Sequence, residues 1–375
     1  EAARGLRRVA EQWGGPEAVA FFAHTTGDTW FGDYFPQAFG SPNAAKPAGT
    51  VCLQPREVAA ELTFGRAFGG HEPVDWEGVR YVALIGNHIG ENAHNTLLQD
   101  LAAARARGAK LVVVDPRFST AAMKADRWLP IKPGTDSAFI LALIHVMIRD
   151  ELYDKWFVSQ YTVGFDELAE GVQEYTPAWA AKITEIPEAT IYRIAHEFAE
   201  NRPNAFAHPG WRTSNFINSF QTERAIATLN ALSGNVLTPG GCLSTEVAAE
   251  GAGLGAPPQP PYPRVSALRL DGTPWKYPLV PLKLGVFQEL RDAILTGEPY
   301  QAHGWFISRQ NPILALPDRN KTLQAFGKMD FIVTVDIIMN DTAWFSDIVL
   351  PEASYLERYD PLLPVGDKAF LRQPV

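Results

Sequence analysis

The segments YVALIGN (residues 81–87) and LVVVDPR (residues 111–117) decide the fold. Each is a continuous apolar run of strand length that stops at a polar, turn-forming group, and the residues between them predict a helix that ends at Gly108. Strands that are apolar at every position are typical of a sheet covered on both faces, and strand–helix–strand is the repeating unit of a parallel sheet. The sequence therefore predicts an α/β fold.

The same pattern continues along the chain. A short third strand is predicted at 129–131, with Asp136 as the cap of the long helix that follows it. Another strand is predicted at 205–208. A second α/β unit is expected beyond a proline-rich linker at 251–263, with strands at 304–308, 331–335 and 348–350.

Length, charge and composition exclude several classes of protein. A chain of 375 residues is long for a single core and predicts two or more domains. The net charge of −9 argues against a nucleic-acid or anionic-membrane binder, which needs a basic face. No apolar run approaches the roughly 18 residues of a membrane-spanning helix. Two cysteines, Cys52 and Cys242, cannot form a disulfide framework or an iron–sulfur site by themselves.

Polar segments follow three successive predicted strands, namely GNHIGEN (86–92), DPR (115–117) and KPGTD (132–136). Ligands bind beyond the carboxyl ends of parallel strands, and a glycine before a helix N-terminus can seat a pyrophosphate. Each segment alone is compatible with ordinary loop and cap chemistry, but the three together favour a nucleotide-like ligand. The GxGxxG fingerprint of NAD-binding domains is absent after the first strand, which weakens the alternative of an NAD-dependent enzyme.

These segments, together with LSGN (232–235), PGG (239–241) and SDIVLP (346–351), closely resemble molybdopterin oxidoreductases of the dimethyl-sulfoxide-reductase superfamily. The resemblance covers nearly the whole chain in order. It implies two Rossmann-like α/β domains that face a shared cofactor cleft, one formed by residues 46–244 and the other by residues 1–45 and 245–375. It also implies a molybdenum or tungsten ion held by two molybdopterin guanine dinucleotides.

The resemblance assigns roles by position. The residues that match those holding the first dinucleotide are Gly86, Asn87, Glu91, Asn92, Asp115, Arg117, Gly134, Thr135 and Asp136. Gly210, Trp211 and Arg212 match a loop close to the pterin, and the Arg212 guanidinium is also a candidate for binding an anionic substrate. The residues that match those holding the second dinucleotide are Gln310, Asn311, Asp336 and Arg358. His24 and His208 are further candidates for contacting substrate, although a lone histidine is more often structural.

Cys52 lies between GSPN (40–43) and TFG (63–65), where the resembling family has its protein ligand to the metal. An anionic thiolate suits a high-valent metal that already binds dithiolene sulfurs. The resemblance therefore implies that Cys52 is the catalytic metal ligand. A lone cysteine is otherwise most often a small buried apolar residue, which is the interpretation for Cys242.

The sequence is similar to one branch of this superfamily more than to others. Formate dehydrogenases have a histidine directly after the metal ligand, where this chain has Leu53, and the Arg-Gly-Gln-Asn-type stretch of formate dehydrogenases and nitrate reductases is absent after Gly241. GSPN and SYLERYD (354–360) look like polysulfide and thiosulfate reductases instead. The resemblance implies two-electron reduction of polysulfide, thiosulfate or tetrathionate. The alternatives are an arsenate or other oxyanion reductase and a non-catalytic cofactor-binding module.

The resemblance also has implications for the surroundings of this chain. We expect it to be part of a larger protein, with a 4Fe-4S cluster and a further dinucleotide-binding domain outside these residues. The implied partners are an iron–sulfur electron-transfer subunit and a membrane anchor subunit, but no nucleic acid. The implied location is periplasmic or on the exported face of a membrane, in anaerobic respiration.

Overall fold

The computed structural model describes residues 1–23, 29–46, 50, 52, 54–65, 74–87, 89–91, 96–210, 213–242, 267–282, 284–354, 356–357, 363–365 and 368–370. The helices are α1 (Ala2–Gln12), α2 (Thr29–Phe39), α3 (Gln54–Phe64), α4 (Thr96–Ala106), α5 (Thr120–Lys124), α6 (Asp136–Arg149), α7 (Lys155–Tyr161), α8 (Phe165–Gly171), α9 (Pro177–Thr184), α10 (Glu188–Glu200), α11 (Ser219–Leu232), α12 (Phe287–Thr296), α13 (Pro312–Ala315), α14 (Arg319–Phe326) and α15 (Asp341–Trp344). The strands are β1 (Val19–Ala23), β2 (Ala44–Ala45), β3 (Tyr81–Ile85), β4 (Lys110–Val114), β5 (Arg127–Leu129), β6 (Ala205–Pro209), β7 (Gly304–Ser308), β8 (Phe331–Asp336), β9 (Ile348–Pro351), β10 (Leu363–Val365) and β11 (Lys368–Phe370). None of the helices within these ranges has both the length and the apolar character that a membrane crossing requires.

The chain forms two compact units. The split unit contains Glu1–Gln54 and Val247–Val375, and the continuous unit contains Pro55–Glu246. The first boundary lies at Gln54, later than the position near residue 45 that the sequence suggested. Cys52 therefore belongs by its contacts to the split unit, whereas the prediction had placed it in the other domain.

The continuous unit is built on a parallel sheet with the strand order β5-β4-β3-β6 among the described residues. Residues 81, 83 and 85 of β3 pack against α6, α10 and α11, whereas residues 82 and 84 face the side covered by α4. This double covering explains why the strand is apolar at every position. Strand β5 ends at Leu129 rather than at residue 131, because Pro130 has no N–H to donate to the sheet.

Strand β6 is an edge strand of the described sheet, and two asparagine side chains satisfy its outer backbone groups. The Asn230 amide accepts from the Ala207 N–H at 2.9 Å and donates to the Ala207 carbonyl at 2.9 Å. The Asn235 amide donates to the Ala205 carbonyl at 2.6 Å and to the Asn230 side-chain oxygen at 2.8 Å. Both asparagines are fully buried. They replace a neighbouring strand at an edge that water does not reach.

Replacing Asn230 by alanine is expected to destabilise the continuous unit strongly. The change leaves the buried N–H and carbonyl of Ala207 without partners, and each such loss costs about 1–3 kcal/mol. We expect the free energy of unfolding to fall by roughly 2–4 kcal/mol in urea titrations followed by circular dichroism. The exposed Asn215→Ala change in the same unit is the control. Equal midpoints for the two variants would contradict this role for Asn230.

The split unit contains a second parallel sheet, with the strand order β2-β1-β7-β8-β9 among the described residues. Trp305 and Phe22 are completely buried in its core, together with Phe287 of α12. The loop before β2 is held by the buried Asn43, whose amide donates to the Glu17 carbonyl and the Tyr300 hydroxyl, both at 2.8 Å. A short antiparallel hairpin pairs β10 with β11. The predicted linker at 251–263 lies outside the described residues.

Candidate functional site

The carboxyl ends of β3 and β6 meet where the order of the sheet changes direction. Gly86 follows β3 and Gly210 follows β6. A Cβ atom on Gly210 would lie 2.2 Å from the Gly86 carbonyl carbon and oxygen and from the Ile85 oxygen. Only glycine permits this approach of two backbones. Ligands of open α/β sheets bind at such a switch point, so the predicted residues Gly86 and Gly210 lie together where a ligand is expected.

Asn87 and His208 form a buried pair directly behind these glycines. The Asn87 amide nitrogen lies 3.1 Å from His208 Nδ1, and the same ring nitrogen lies 2.9 Å from the Pro209 carbonyl oxygen. The exposed fraction is 4% for Asn87 and 0% for His208. The Asn87–His208 contact joins the segment after β3 to the end of β6, so both side chains hold the backbone of the switch point.

Glu91 and Arg117 contact each other and join the loops after β3 and β4. The Glu91 carboxylate accepts from the Thr120 N–H and from the Arg117 guanidinium. These two donors, with the Thr120 N–H contributing most, lower the pKa of Glu91 to about 2. The Arg117 side chain stays 60% exposed. Of these two predicted cofactor residues, Glu91 therefore uses its carboxylate for hydrogen bonds within the protein, whereas the Arg117 guanidinium is also exposed to solvent.

Two buried carboxylates lie near the carboxyl edge of the same sheet. Asp115 follows β4 and Asp136 begins α6, and both are less than a tenth exposed. Burial is the main cause that raises the pKa of Asp136 to about 6, and the negative charge of Asp115 adds to it. Neither carboxylate pairs with a basic side chain among the described residues. The arrangement fits a ligand that brings N–H or O–H donors to this edge.

The prediction that Asp136 caps α6 is wrong. Thr135 is the N-cap residue, and Asp136 is the first residue of the helix. The Thr135 hydroxyl donates to the Lys132 carbonyl at 2.7 Å instead of accepting from the helix. Gly134 adopts a left-handed conformation with φ +78°, and a Cβ there would lie 3.1 Å from the Phe216 ring. The tight turn at 132–135 displaces the cap by one residue.

The Asp136→Asn variant is expected to change how stability depends on pH. An acid whose pKa is raised in the folded state binds more protons there than when unfolded, so stability falls as pH rises from about 4 through 6. At pH 7.5 this ionisation costs on the order of 2–3 kcal/mol, which the neutral amide removes. We expect the cofactor-free variant to have a larger free energy of unfolding at pH 7.5 than the cofactor-free parent. Between pH 4 and 6.5 its free energy of unfolding should depend less on pH. Urea unfolding across this pH range tests the prediction, with the exposed Asp166→Asn variant as the control. A parent protein whose stability does not fall over this range would contradict it.

The split unit presents a second set of predicted residues, at the carboxyl ends of β7 and β8. The Asn311 side-chain oxygen accepts from the Thr342 hydroxyl at 2.8 Å. Asp336 accepts from the Ile337 N–H at 2.7 Å and from the Asn340 amide at 2.8 Å. These contacts shape the two loops. Gln310 differs, because its side chain is buried and its amide nitrogen has no hydrogen-bond partner within the described part of the chain. A buried donor in this state fits an acceptor oxygen of a ligand.

An ion pair at the same edge was missed by the sequence analysis. Arg309, directly after β7, donates through Nε to both carboxylate oxygens of Glu352, at 2.9 and 3.0 Å, and through Nη2 to Oε1 of the same carboxylate. Glu352 directly follows β9. The two residues are 43 positions apart, and no local pattern indicates that they meet. One sequence signal could have indicated the pair: residues of opposite charge directly follow two strands, and these strands flank a third.

Cys52 lies in a bend just before α3 and is half-buried. Its placement is compatible with a role as a ligand, since a thiolate needs access to the metal. Cys242 differs, because it is buried and burial raises the pKa of its thiol to about 12. Four other predicted site residues, Asn92, Trp211, Arg212 and Arg358, lie outside the described residues, as does His24.

The family of the chain follows from comparison with known proteins. A family model described as molybdopterin oxidoreductase matches residues 18–363. The chain belongs to the molybdopterin oxidoreductase family. The thiosulfate reductase molybdopterin-containing subunit PhsA of Salmonella typhimurium is 34% identical over 353 residues, which cover 92% of this chain and 46% of that protein. The dimethyl sulfoxide reductase DmsA of Haemophilus influenzae is 30% identical, with 81% of this chain and 41% of that protein covered.

A solved structure supports the same assignment. Acetylene hydratase from Pelobacter acetylenicus superposes with a TM-score of 0.80 and 25% identity, covering the whole of this chain and 54% of that one. The predicted family and the predicted α/β fold are confirmed. The chain spans about half the length of the curated relatives it matches. Membership in this family implies a molybdenum–molybdopterin cofactor.

Proposed function

We propose that this chain is part of the catalytic subunit of a molybdenum-dependent reductase of sulfur compounds, with thiosulfate or polysulfide as substrate. The observation that carries the proposal is the 34% identity to a thiosulfate reductase subunit, which extends over 92% of the chain. The residues quoted above from the 40–43 and 354–360 segments support the same branch. Reduction of thiosulfate takes two electrons and one proton, breaks the S–S bond and yields sulfite and hydrogensulfide.

The proposed cofactor is a pair of molybdopterin guanine dinucleotides with one metal ion. In the continuous unit, the buried carboxylates of Asp115 and Asp136 are acceptors for the N–H groups of a guanine. In the split unit, the buried Gln310 amide is a donor for an oxygen of the second dinucleotide. The residues present therefore fit the group, and each unit contributes one set of polar contacts.

In this proposal the protein positions the cofactor and controls access to the metal. When bound, the cofactor supplies a metal that exchanges electron pairs with substrate. Cys52 supplies one anionic ligand, and Arg212 is the candidate that holds an anionic substrate through its guanidinium. We further propose that electrons arrive from an iron–sulfur subunit and that a membrane anchor holds the assembly on the exported side of the membrane.

Steady-state reduction assays on the protein purified from its native source test the function. Oxidation of a reduced viologen dye is followed with thiosulfate, polysulfide, tetrathionate, arsenate and dimethyl sulfoxide as acceptors. We expect the highest kcat/KM with thiosulfate or polysulfide. Activity with arsenate or dimethyl sulfoxide alone would overturn the substrate class. A protein that contains metal and nucleotide yet reduces none of the five would instead be a non-catalytic cofactor-binding module.

A further inference from the structure

The Arg309–Glu352 pair crosses the end of a strand. Strand β8 lies between β7 and β9, and the guanidinium of Arg309 reaches over it to the Glu352 carboxylate. The backbone of each residue is fixed to the end of β8, since the Arg309 N–H donates to the Val335 oxygen at 2.9 Å and the Glu352 N–H to the Asp336 oxygen at 3.1 Å. Their side chains are 21% and 17% exposed. The pair therefore joins three neighbouring strand ends.

Arg309 is held in a backbone conformation that it does not favour. Its φ is +56°, in the left-handed region, which costs a non-glycine residue on the order of 1 kcal/mol. Such a conformation persists only where surrounding contacts impose it. The contact with Glu352 and the hydrogen bond to Val335 are among the contacts that impose it here. The backbone direction at Arg309 in turn sets the path of the next two residues, Gln310 and Asn311.

A stabilising role alone does not account for this arrangement. A partly buried ion pair gives little net stability, because desolvation offsets the attraction. What a bidentate pair provides is fixed geometry, and lysine does not reproduce it because it lacks the planar fork. The residue whose position this fixed geometry determines is Gln310, and its buried amide nitrogen is the donor described above.

We propose that Arg309 and Glu352 are positioning residues, which set the Gln310 loop so that its amide binds the dinucleotide of the split unit. The inference rests on the proposed cofactor and adds a specific prediction to it. Breaking the pair releases the dinucleotide held by the split unit and leaves the one held by the continuous unit. General destabilisation does not produce this selective loss.

The experiment compares Glu352→Gln and Arg309→Lys with the parent protein, each purified from the native host. Glu352→Gln keeps the side-chain size and removes the charge, and Arg309→Lys keeps the charge and removes the fork. Guanine nucleotide released by acid is counted per chain, and circular dichroism checks the fold. The control is Arg319→Gln, which breaks the exposed Arg319–Asp341 pair of the same unit, where the side chains are 57% and 43% exposed.

We expect about two guanine nucleotides per chain in the parent and the control, and a fall by about half in both pair variants. Two nucleotides in every variant would overturn the positioning role and leave the proposed cofactor intact. Loss of both nucleotides from the pair variants would also overturn it, since the effect would not be confined to one unit. A parent without guanine would overturn the proposed cofactor, and this inference with it.

Discussion

The Cys52→Ala variant is expected to lose turnover by on the order of 10³-fold or more while its fold is retained. The reason is that alanine has no group to replace the thiolate as a ligand to the metal, so the metal's charge and geometry change at the reacting centre. Cys52 is half-buried in a bend outside the regular elements, so its removal leaves no large cavity. Dye-linked turnover, metal content and circular dichroism of the purified variant are measured together.

The matched control is Cys242→Ala. Cys242 lies in the core of the continuous unit, where burial keeps its thiol protonated with a pKa of about 12, far from the thiolate form. We expect this variant to keep its turnover and to lose at most about 1 kcal/mol of stability. Full turnover in Cys52→Ala would contradict the ligand assignment. An equal loss of turnover in Cys242→Ala would show that removal of any cysteine has the effect.

The Gly210→Ala variant is expected to be the most disruptive single-methyl change at the candidate site. The added Cβ meets backbone atoms of Ile85 and Gly86 at 2.2 Å, and no side-chain rotation relieves the clash. The strand ends must separate, and overpacking of this kind costs on the order of 1–3 kcal/mol. Because this point is the proposed seat of one dinucleotide, we expect the guanine content to fall as well as the urea midpoint.

Gly171→Ala separates this local effect from the general effect of adding a methyl group. Gly171 is the last residue of α8, and a Cβ there meets nothing within 4 Å. Alanine at such a position reduces the entropy of the unfolded chain, so we expect stability to be unchanged or slightly higher. If the Gly210→Ala and Gly171→Ala proteins had the same urea midpoint and the same guanine content, the close approach of the ends of β3 and β6 would be contradicted.

The sequence predicted the buried strands well because their apolar runs reflect covering on both faces. The predicted bounds 81–85 and 304–308 agree with β3 and β7 as the structure has them. The short helices α7 and α9 were missed, since they span only seven and eight residues and α9 begins with a proline. Strand β5 was placed two residues too late because a proline was included in it.

The site was predictable only as a set of strand ends. Parallel strands bring Gly86, Asp115 and Gly210 to one edge of the sheet whatever path the loops take. Their positions directly after strands were therefore enough to predict that they lie at the same edge. What each side chain touches depends on residues far along the chain. The Glu91–Arg117 contact and the Arg309–Glu352 pair are of this kind, separated by 26 and 43 positions. The displaced cap at Asp136 depends on a turn conformation that the local sequence does not distinguish.

The proposed function depends above all on a metal held between two guanine dinucleotides. The molybdenum, tungsten and guanine nucleotide content of the protein purified from its native source tests this directly, with nucleotide released by acid. We expect about one molybdenum or tungsten and about two guanine nucleotides per chain. Purified, folded protein with neither metal nor guanine would contradict the proposal, and would leave a member of the family that has lost its cofactor.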